Sequence, residues 1–314
     1  TSAFSAADEG RVPVWHIVTV DSEGDVGWYT SLAVVNGNPA IGYHDYGNSD
    51  LKYVRANDTS GESWGTPLTL DSSGAVGDFA SLAVVNGCPA IGYRDYTTYL
   101  HYNLKYVRAS DASGGSWGTP QTVDSAGNVG TFASLAVVNG NPAIGYHDYG
   151  NNDLKYVRAS DASGGSWGTP QILDSEGDVG RLWGISLAVV NGNPAVSYYD
   201  YNNEDLKYVR ASDASGGSWG TPQILDSGLG TYGGGYASLA VVNGNPAVSY
   251  YDYNNGDLKY VRANDASGST WDTPLTVDST GDVGRHTSLV IVNGNPAISY
   301  QDWTNRDLKF AILR

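Results

Sequence analysis

Apolar and polar positions along this chain fall into short runs that return at a nearly constant distance. A run reading Ser-Leu-Ala-Val-Val-Asn-Gly, or its variant Ser-Leu-Val-Ile-Val-Asn-Gly, starts at Ser31, Ser81, Ser134, Ser186, Ser238 and Ser288, at spacings of 50, 53, 52, 52 and 50 residues. Most copies continue through Asn-Pro-Ala-Ile-Gly-Tyr or Asn-Pro-Ala-Val-Ser-Tyr, then Asp-Leu-Lys-Tyr-Val-Arg-Ala, then Ser-Trp-Gly-Thr-Pro. β-Branched and aromatic residues fill the runs, and Asn-Gly, Asn/Gly/Asp and Ser-Gly-Gly clusters bound them, so each copy predicts four short strands, a to d. Strands a and c are nearly continuous apolar runs rather than clean alternations, as expected of sheets covered on both faces.

One such unit could not bury its own apolar surface. Four-strand units recurring at this period predict an all-β chain folded as a six-bladed β-propeller, with four antiparallel strands per blade. The chain ends at strand c of the sixth copy, and the missing strand d is found at the other end, in Val-Trp-His-Ile-Val-Thr-Val-Asp-Ser (14–22). We therefore expect an N-terminal arm over 1–11, one propeller domain over 12–314, and an N-terminal strand that completes the last blade and leaves no unpaired edge. Trp64, Trp117, Trp167, Trp219 and Trp271 open strand d in successive copies and are expected to act as packing pegs between blades.

Composition narrows the class. The 314 residues include 41 Gly and 23 Tyr and carry a formal charge of −16, which argues against nucleic acid as a partner. The single cysteine, Cys88, excludes an internal disulfide, and no run of 18 apolar residues predicts a membrane span. Methionine is absent even at position 1, which we read as processing and as an expectation of a secreted, extracellular protein. No cofactor is predicted. A calcium or magnesium ion in the channel is compatible with the chain, but no motif supports one, and oligomeric state is left open.

The segment Ser-Asp-Ala-Ser-Gly-Gly-Ser-Trp between strands c and d resembles the Asp-box hairpin of sialidase-like (BNR) propellers, Ser-x-Asp-x-Gly-x-x-Trp. From Asp111 to Trp117 it is one residue longer than that motif, as it is after Asp161, Asp213 and Asp265. The resemblance implies a propeller with a structural hairpin at that place, and it does not imply sialidase activity.

In a four-strand meander the a–b and c–d turns share one end of the blade, and the b–c and d–a connections share the other. The first end hardly varies among the copies. The second holds every length change: three extra residues at 97–103, and two each in 179–186 and 229–238. It also holds Arg94, Arg181, Arg285 and Arg306 and four of the five histidines, His44, His101, His147 and His286. Insertions in repeat proteins gather on the binding face, so this rim is the candidate functional face.

Two rings of residues are expected around the channel mouth. The residue before the repeated aspartate reads His44, Arg94, His147, Tyr199, Tyr251 and Gln301. The entrance to strand a reads Trp28-Tyr29, Asp78-Phe79, Thr131-Phe132, Trp183-Gly184, Gly235-Tyr236 and Arg285-His286. The ligand-binding set is therefore Trp28, His44, Asp78, Arg94, Tyr99, His101, His147, Trp183, Tyr199, Tyr236, Tyr251, Arg285, His286 and Gln301. His44, Arg94, His147, Tyr199 and Tyr251 are the candidates for any catalysis. Because each copy contributes a different group, the expectation is one asymmetric central site.

The repeated aspartates Asp45, Asp95, Asp148, Asp200, Asp252 and Asp302 are each followed by a repeated lysine, and ion pairing within or between blades is expected rather than a metal ring. The d–a loops, such as Asp-Ser-Glu-Gly-Asp-Val-Gly, do not match a calcium loop and read as turns. The sequence thus supports a carbohydrate- or small-ligand-binding, lectin-like propeller whose expected partner is a carbohydrate or glycoconjugate. The alternative is a polysaccharide lyase or glycoside hydrolase using the same His, Tyr and Arg groups.

Overall fold

A computed structural model describes residues 17–181, 184–231 and 233–313. Among them there is no helix, and 23 strands form six antiparallel sheets arranged as the blades of a six-bladed β-propeller. Blade one comprises β1 (Val26–Val35), β2 (Asn38–Asp45), β3 (Asp50–Arg55) and β4 (Leu68–Asp71). Blade two comprises β5 (Val76–Val85), β6 (Cys88–Thr98), β7 (His101–Arg108) and β8 (Gln121–Asp124). Blade three comprises β9 (Thr131–Val138), β10 (Asn141–Asp148), β11 (Asp153–Arg158) and β12 (Gln171–Asp174). Blade four runs from β13 (Ser186–Val190) through β14 (Asn193–Asp200) and β15 (Asp205–Arg210) to β16 (Gln223–Asp226). Blade five follows as β17 (Ser238–Val242), β18 (Asn245–Asp252), β19 (Asp257–Arg262) and β20 (Leu275–Asp278), and blade six as β21 (Val283–Val292), β22 (Asn295–Asp302) and β23 (Asp307–Ile312).

Three repeated devices join one blade to the next. The serine that opens strand a accepts from the leucine amide of the following blade, as in Ser31 Oγ to Leu82 N at 2.9 Å, and four further seams repeat it. The strand-d indole packs edge-on against a tyrosine of the preceding blade: Trp117 on Tyr53, Trp167 on Tyr106, Trp219 on Tyr156 and Trp271 on Tyr208, with centroids 4.9–5.1 Å apart. These are four of the five expected pegs, and each of these indoles, like that of Trp64, donates to a glycine carbonyl of its own hairpin.

The third device is ionic. Lys207 Nζ lies 2.8 Å from Asp200 of its own blade and 3.1 Å from Asp174 at the end of strand d in the blade before. The Tyr198 hydroxyl donates to the same Asp174 oxygen at 2.6 Å. All six repeated lysines make this double contact, so the pairing expected within or between blades is both at once. The own-blade aspartate is further held by its turn, as where the Asn203 amide and side chain donate to Asp200. A buried ion pair is tolerable only when such hydrogen bonds satisfy it.

The Asp-box-like segments form the expected hairpins. Asp111 accepts from the amides of Ser113, Gly115 and Ser116, and Asp161 and Asp213 repeat the pattern.

The sixth sheet has three strands among the described residues. Of the expected closing strand, 14–16 lie outside the described residues, as does the arm over 1–11, and 17–22 carry no ladder to β23. Leu308 and Phe310 of β23 are exposed where their counterparts Leu258 and Tyr260 are buried. Asp21 nevertheless occupies the strand-d position relative to blade one. It accepts from the Tyr43 hydroxyl at 2.6 Å and pairs with Lys52 at 3.2 Å, as Asp71 does with Tyr93 and Lys105.

Candidate functional site

The two rings named from the sequence are cross-strand neighbours. Trp28 pairs with His44, Asp78 with Arg94, Thr131 with His147 and Arg285 with Gln301, each at a register shift between strands a and b. The shift has a backbone signature. Tyr29, Phe79, Phe132, Tyr236 and His286 have φ of +50°, +53°, +56°, +58° and +53°. Such values cost an aromatic residue about 1 kcal/mol or more and persist only where the surroundings enforce them. The result is a collar of rings where neighbouring blades converge: Tyr29 and Phe79 are 4.4 Å apart, Phe79 and Phe132 4.5 Å, and Tyr236 and His286 4.1 Å. Blade four breaks the collar with Gly184, where a Cβ would sit 2.9 Å from Tyr199 Cβ.

The seam between blades one and two carries the densest chemistry. His44 is fully buried, with Nδ1 3.1 Å from Asp78 Oδ1 but off hydrogen-bond geometry, and with Nε2 3.4 Å from the Tyr96 hydroxyl. Burial pushes the His44 imidazole below its usual pKa; Asp78 and Asp45 oppose this without reversing it. Arg94 binds Asp78 at 2.5 Å and donates to Thr131 Oγ1. Its guanidinium lies over Phe79, Tyr96 and Tyr102, at 4.7, 5.5 and 4.8 Å.

Tyr102 comes from the 97–103 insertion, which prolongs β6 and β7 into a longer hairpin turning at Leu100, with Thr98 opposite His101. The insertion therefore adds a wall beside Arg94. Trp28 is half-exposed, donates its indole N–H to Asp25 at 2.8 Å and lies 5.3 Å from the Tyr46 ring.

The remaining named residues are spread around the rim. His147 is fully buried with Nε2 3.3 Å from Asp178, which Arg181 also binds at 2.7 Å. Burial works against ionisation of Asp178, but His147 and Arg181 outweigh it and hold the carboxyl below its usual range. Tyr251 donates to Asp282, and Arg285 binds the other oxygen of that carboxylate at 2.8 Å. Burial and the bond to Asp282 push the Tyr251 hydroxyl up to about 12. His286 is lowered by burial and then by Arg285.

Three expectations need correction. Tyr199 is fully buried with its hydroxyl committed to the Gly230 carbonyl, and His44 and His147 are fully buried as well, so none of the three presents a surface to a ligand. Tyr99 and His101 are exposed on the inserted hairpin and remain open to a ligand. Trp183 lies outside the described residues.

Asp178 and Asp282 escaped the sequence reading because their d–a loops read as turns. The available signal was the loop position itself, which is Asp in only some copies. Among the described residues no group of three or more His, Cys, Asp or Glu is placed to hold a metal ion.

With this geometry the class of the molecule is set: a six-bladed β-propeller with a chemically varied rim. No family model and no curated protein matches the sequence. Among solved structures, the chain is similar to an α-L-arabinanase of Penicillium chrysogenum complexed with arabinobiose, at 13% identity over 92% of this chain and 93% of that one, with a TM-score of 0.65. It is similar to an α-L-arabinofuranosidase of Fusarium graminearum at 13% identity, with the same coverage and a TM-score of 0.61. It also resembles a subtype N10 neuraminidase-like protein of A/little yellow-shouldered bat/Guatemala/060/2010, at 10% identity, 92% and 95% coverage, and a TM-score of 0.57. At these identities the likeness is one of fold.

Proposed function

We propose that this protein recognises an uncharged glycan on the rim built by its b–c turns and d–a connections. The observation that carries the reading is a set of aromatic side chains at one repeat position, standing half-exposed: Tyr46 at 55%, Tyr149 at 45%, Tyr253 at 43% and Trp303 at 54%. Aromatic planes beside amide, hydroxyl and carboxylate groups suit the C–H faces and hydroxyls of sugar rings. Arg94, Arg181 and Arg285 are each tied to a rim aspartate. Their charge is already balanced, which argues against a uronic-acid or sialic-acid ligand needing a free guanidinium.

A second reading, cleavage of the glycan, is supported by the fold shared with an α-L-arabinanase and an α-L-arabinofuranosidase.

Binding and turnover should be measured together on a panel of neutral and acidic polysaccharides. Binding to a neutral chain that is weakened in Trp28→Ala/Tyr46→Ala supports the proposal, and a preference for acidic chains overturns it. Release of new sugar ends selects the second reading.

A further inference from the structure

Three seams of the propeller carry the same five-part arrangement. At the first, buried His44 meets Asp78, Asp78 binds Arg94, Arg94 lies 5.5 Å over Tyr96, and Tyr46 stands edge-on to His44 at 6.0 Å. At the second, His147 meets Asp178, Asp178 binds Arg181, Arg181 lies 4.7 Å over Tyr201, and Tyr149 stands edge-on to His147 at 6.1 Å. At the third, Tyr251 meets Asp282, Asp282 binds Arg285, Arg285 lies 4.6 Å over Trp303, and Tyr253 stands edge-on to Tyr251 at 6.2 Å. These are the seams between blades one and two, three and four, and five and six. They alternate around the ring with seams built otherwise.

At the second and third stations the acid sits in the d–a connection and the arginine three residues on. At the first, Ala75 stands where the acid is expected, and Asp78 and Arg94 take over from the next ladder positions. A shared arrangement reached through two different placements of the acid and the base points to a selected site rather than an echo of the repeat.

The intervening seams lack it. Arg94 donates across the seam between blades two and three to Thr131, Tyr199 is buried on Gly230, and Asp25 accepts from the Trp28 indole. Each station also keeps buried polar atoms with no hydrogen-bond partner among the described residues: Arg94 Nε at the first, His147 Nδ1 at the second and Arg285 Nε at the third. Buried donors of this kind are seldom left unmet in a working protein.

We infer that the propeller carries three glycan-binding stations related by a pseudo-threefold axis. Each offers one exposed aromatic platform and one Arg–Asp pair to a neutral sugar. The inference rests on the glycan reading above and deepens it from one asymmetric site to three. A polymer long enough to span two stations would be held by avidity, while each station alone binds weakly.

The test counts bound ligand by native mass spectrometry, using cello-, malto-, arabino- and galacto-tetraose as probes. The expected result is saturation at three equivalents with at least one probe, falling to two in each of Tyr46→Ala, Tyr149→Ala and Tyr253→Ala. Retention on the matching immobilised polymer should then fall roughly tenfold or more in each variant. Saturation at one equivalent, or at six, overturns the three-station inference and leaves glycan recognition standing. No uptake of any probe overturns the glycan reading itself. Circular dichroism of the variants, whose altered side chains are surface-exposed, checks that the fold is intact.

Discussion

The Tyr251 hydroxyl donates to Asp282 Oδ1 over 2.6 Å, crossing the seam between blades five and six. The same bond joins neighbouring blades and orients the carboxylate that holds Arg285, so structure and candidate chemistry share one contact. Tyr251→Phe should lower stability by about 1.5–3 kcal/mol, the range for a hydrogen bond to a charged group. It should also weaken sugar binding at that station only. Thermal unfolding and ligand counting on one variant check both.

The ionic clasp makes a graded prediction. Lys207 is buried between Asp174 and Asp200, and Lys207→Ala strands two carboxylates out of water. The expected loss is about 3 kcal/mol, at the low end for breaking a buried pair. Lys309 makes the same contacts with its side chain 31% exposed, so Lys309→Ala should cost clearly less. Equal denaturation midpoints for the two variants would contradict the role of burial.

Alkaline pH should attack the seams. Tyr93, Tyr146, Tyr198 and Tyr250 are raised far above the ordinary tyrosine value, by burial and by a neighbouring aspartate that accepts their hydroxyl. A raised folded-state pKa gives stability that is full below about pH 10, the unfolded value, and is lost as pH climbs above it. Tyrosinate absorbance should therefore rise in two stages: exposed tyrosines first and reversibly, these four only with cooperative unfolding.

His44 gives the opposite slope in acid. Its pKa is depressed by burial, so the unfolded chain binds the proton more readily than the folded one. Stability is complete above about pH 6.5 and declines as pH falls below it. In an NMR titration the His44 ring should remain neutral below pH 6.5, and His44→Gln should flatten the acid limb of the stability curve.

The blade-one end of the final seam rests on Asp21. Asp21→Asn removes the carboxylate shared by Tyr43 and Lys52, leaving Lys52 only Asp45, and should lower the melting temperature more than Asp25→Asn, because the Asp25 side chain is exposed and its carboxylate accepts from the Trp28 indole alone among the described residues. A differential scan of the two variants decides it.

Much of the architecture could be read directly. The six-fold recurrence of Ser-Leu-Ala-Val-Val, the tryptophan pegs and the Asp–Lys spacing all became blade contacts, because every copy solves the same packing problem with the same residues. The rim was legible in part. His44, Asp78 and Arg94 were named and do meet, whereas Asp178 and Asp282 were passed over as turn residues. Tyr199 was named and proves buried, because the extended loop of the next blade folds over its hydroxyl.

By itself, then, the sequence determined how many blades there are, where their strands fall and which end of them varies, since periodic burial leaves a periodic trace. Only the tertiary structure decided that the varying residues group into three like stations. An acid and a base that occupy different repeat positions, as Asp78 and Arg94 do relative to Asp178 and Arg181, share no register in the sequence. They come to equivalent places only when neighbouring blades are packed together and side chains from different strands converge.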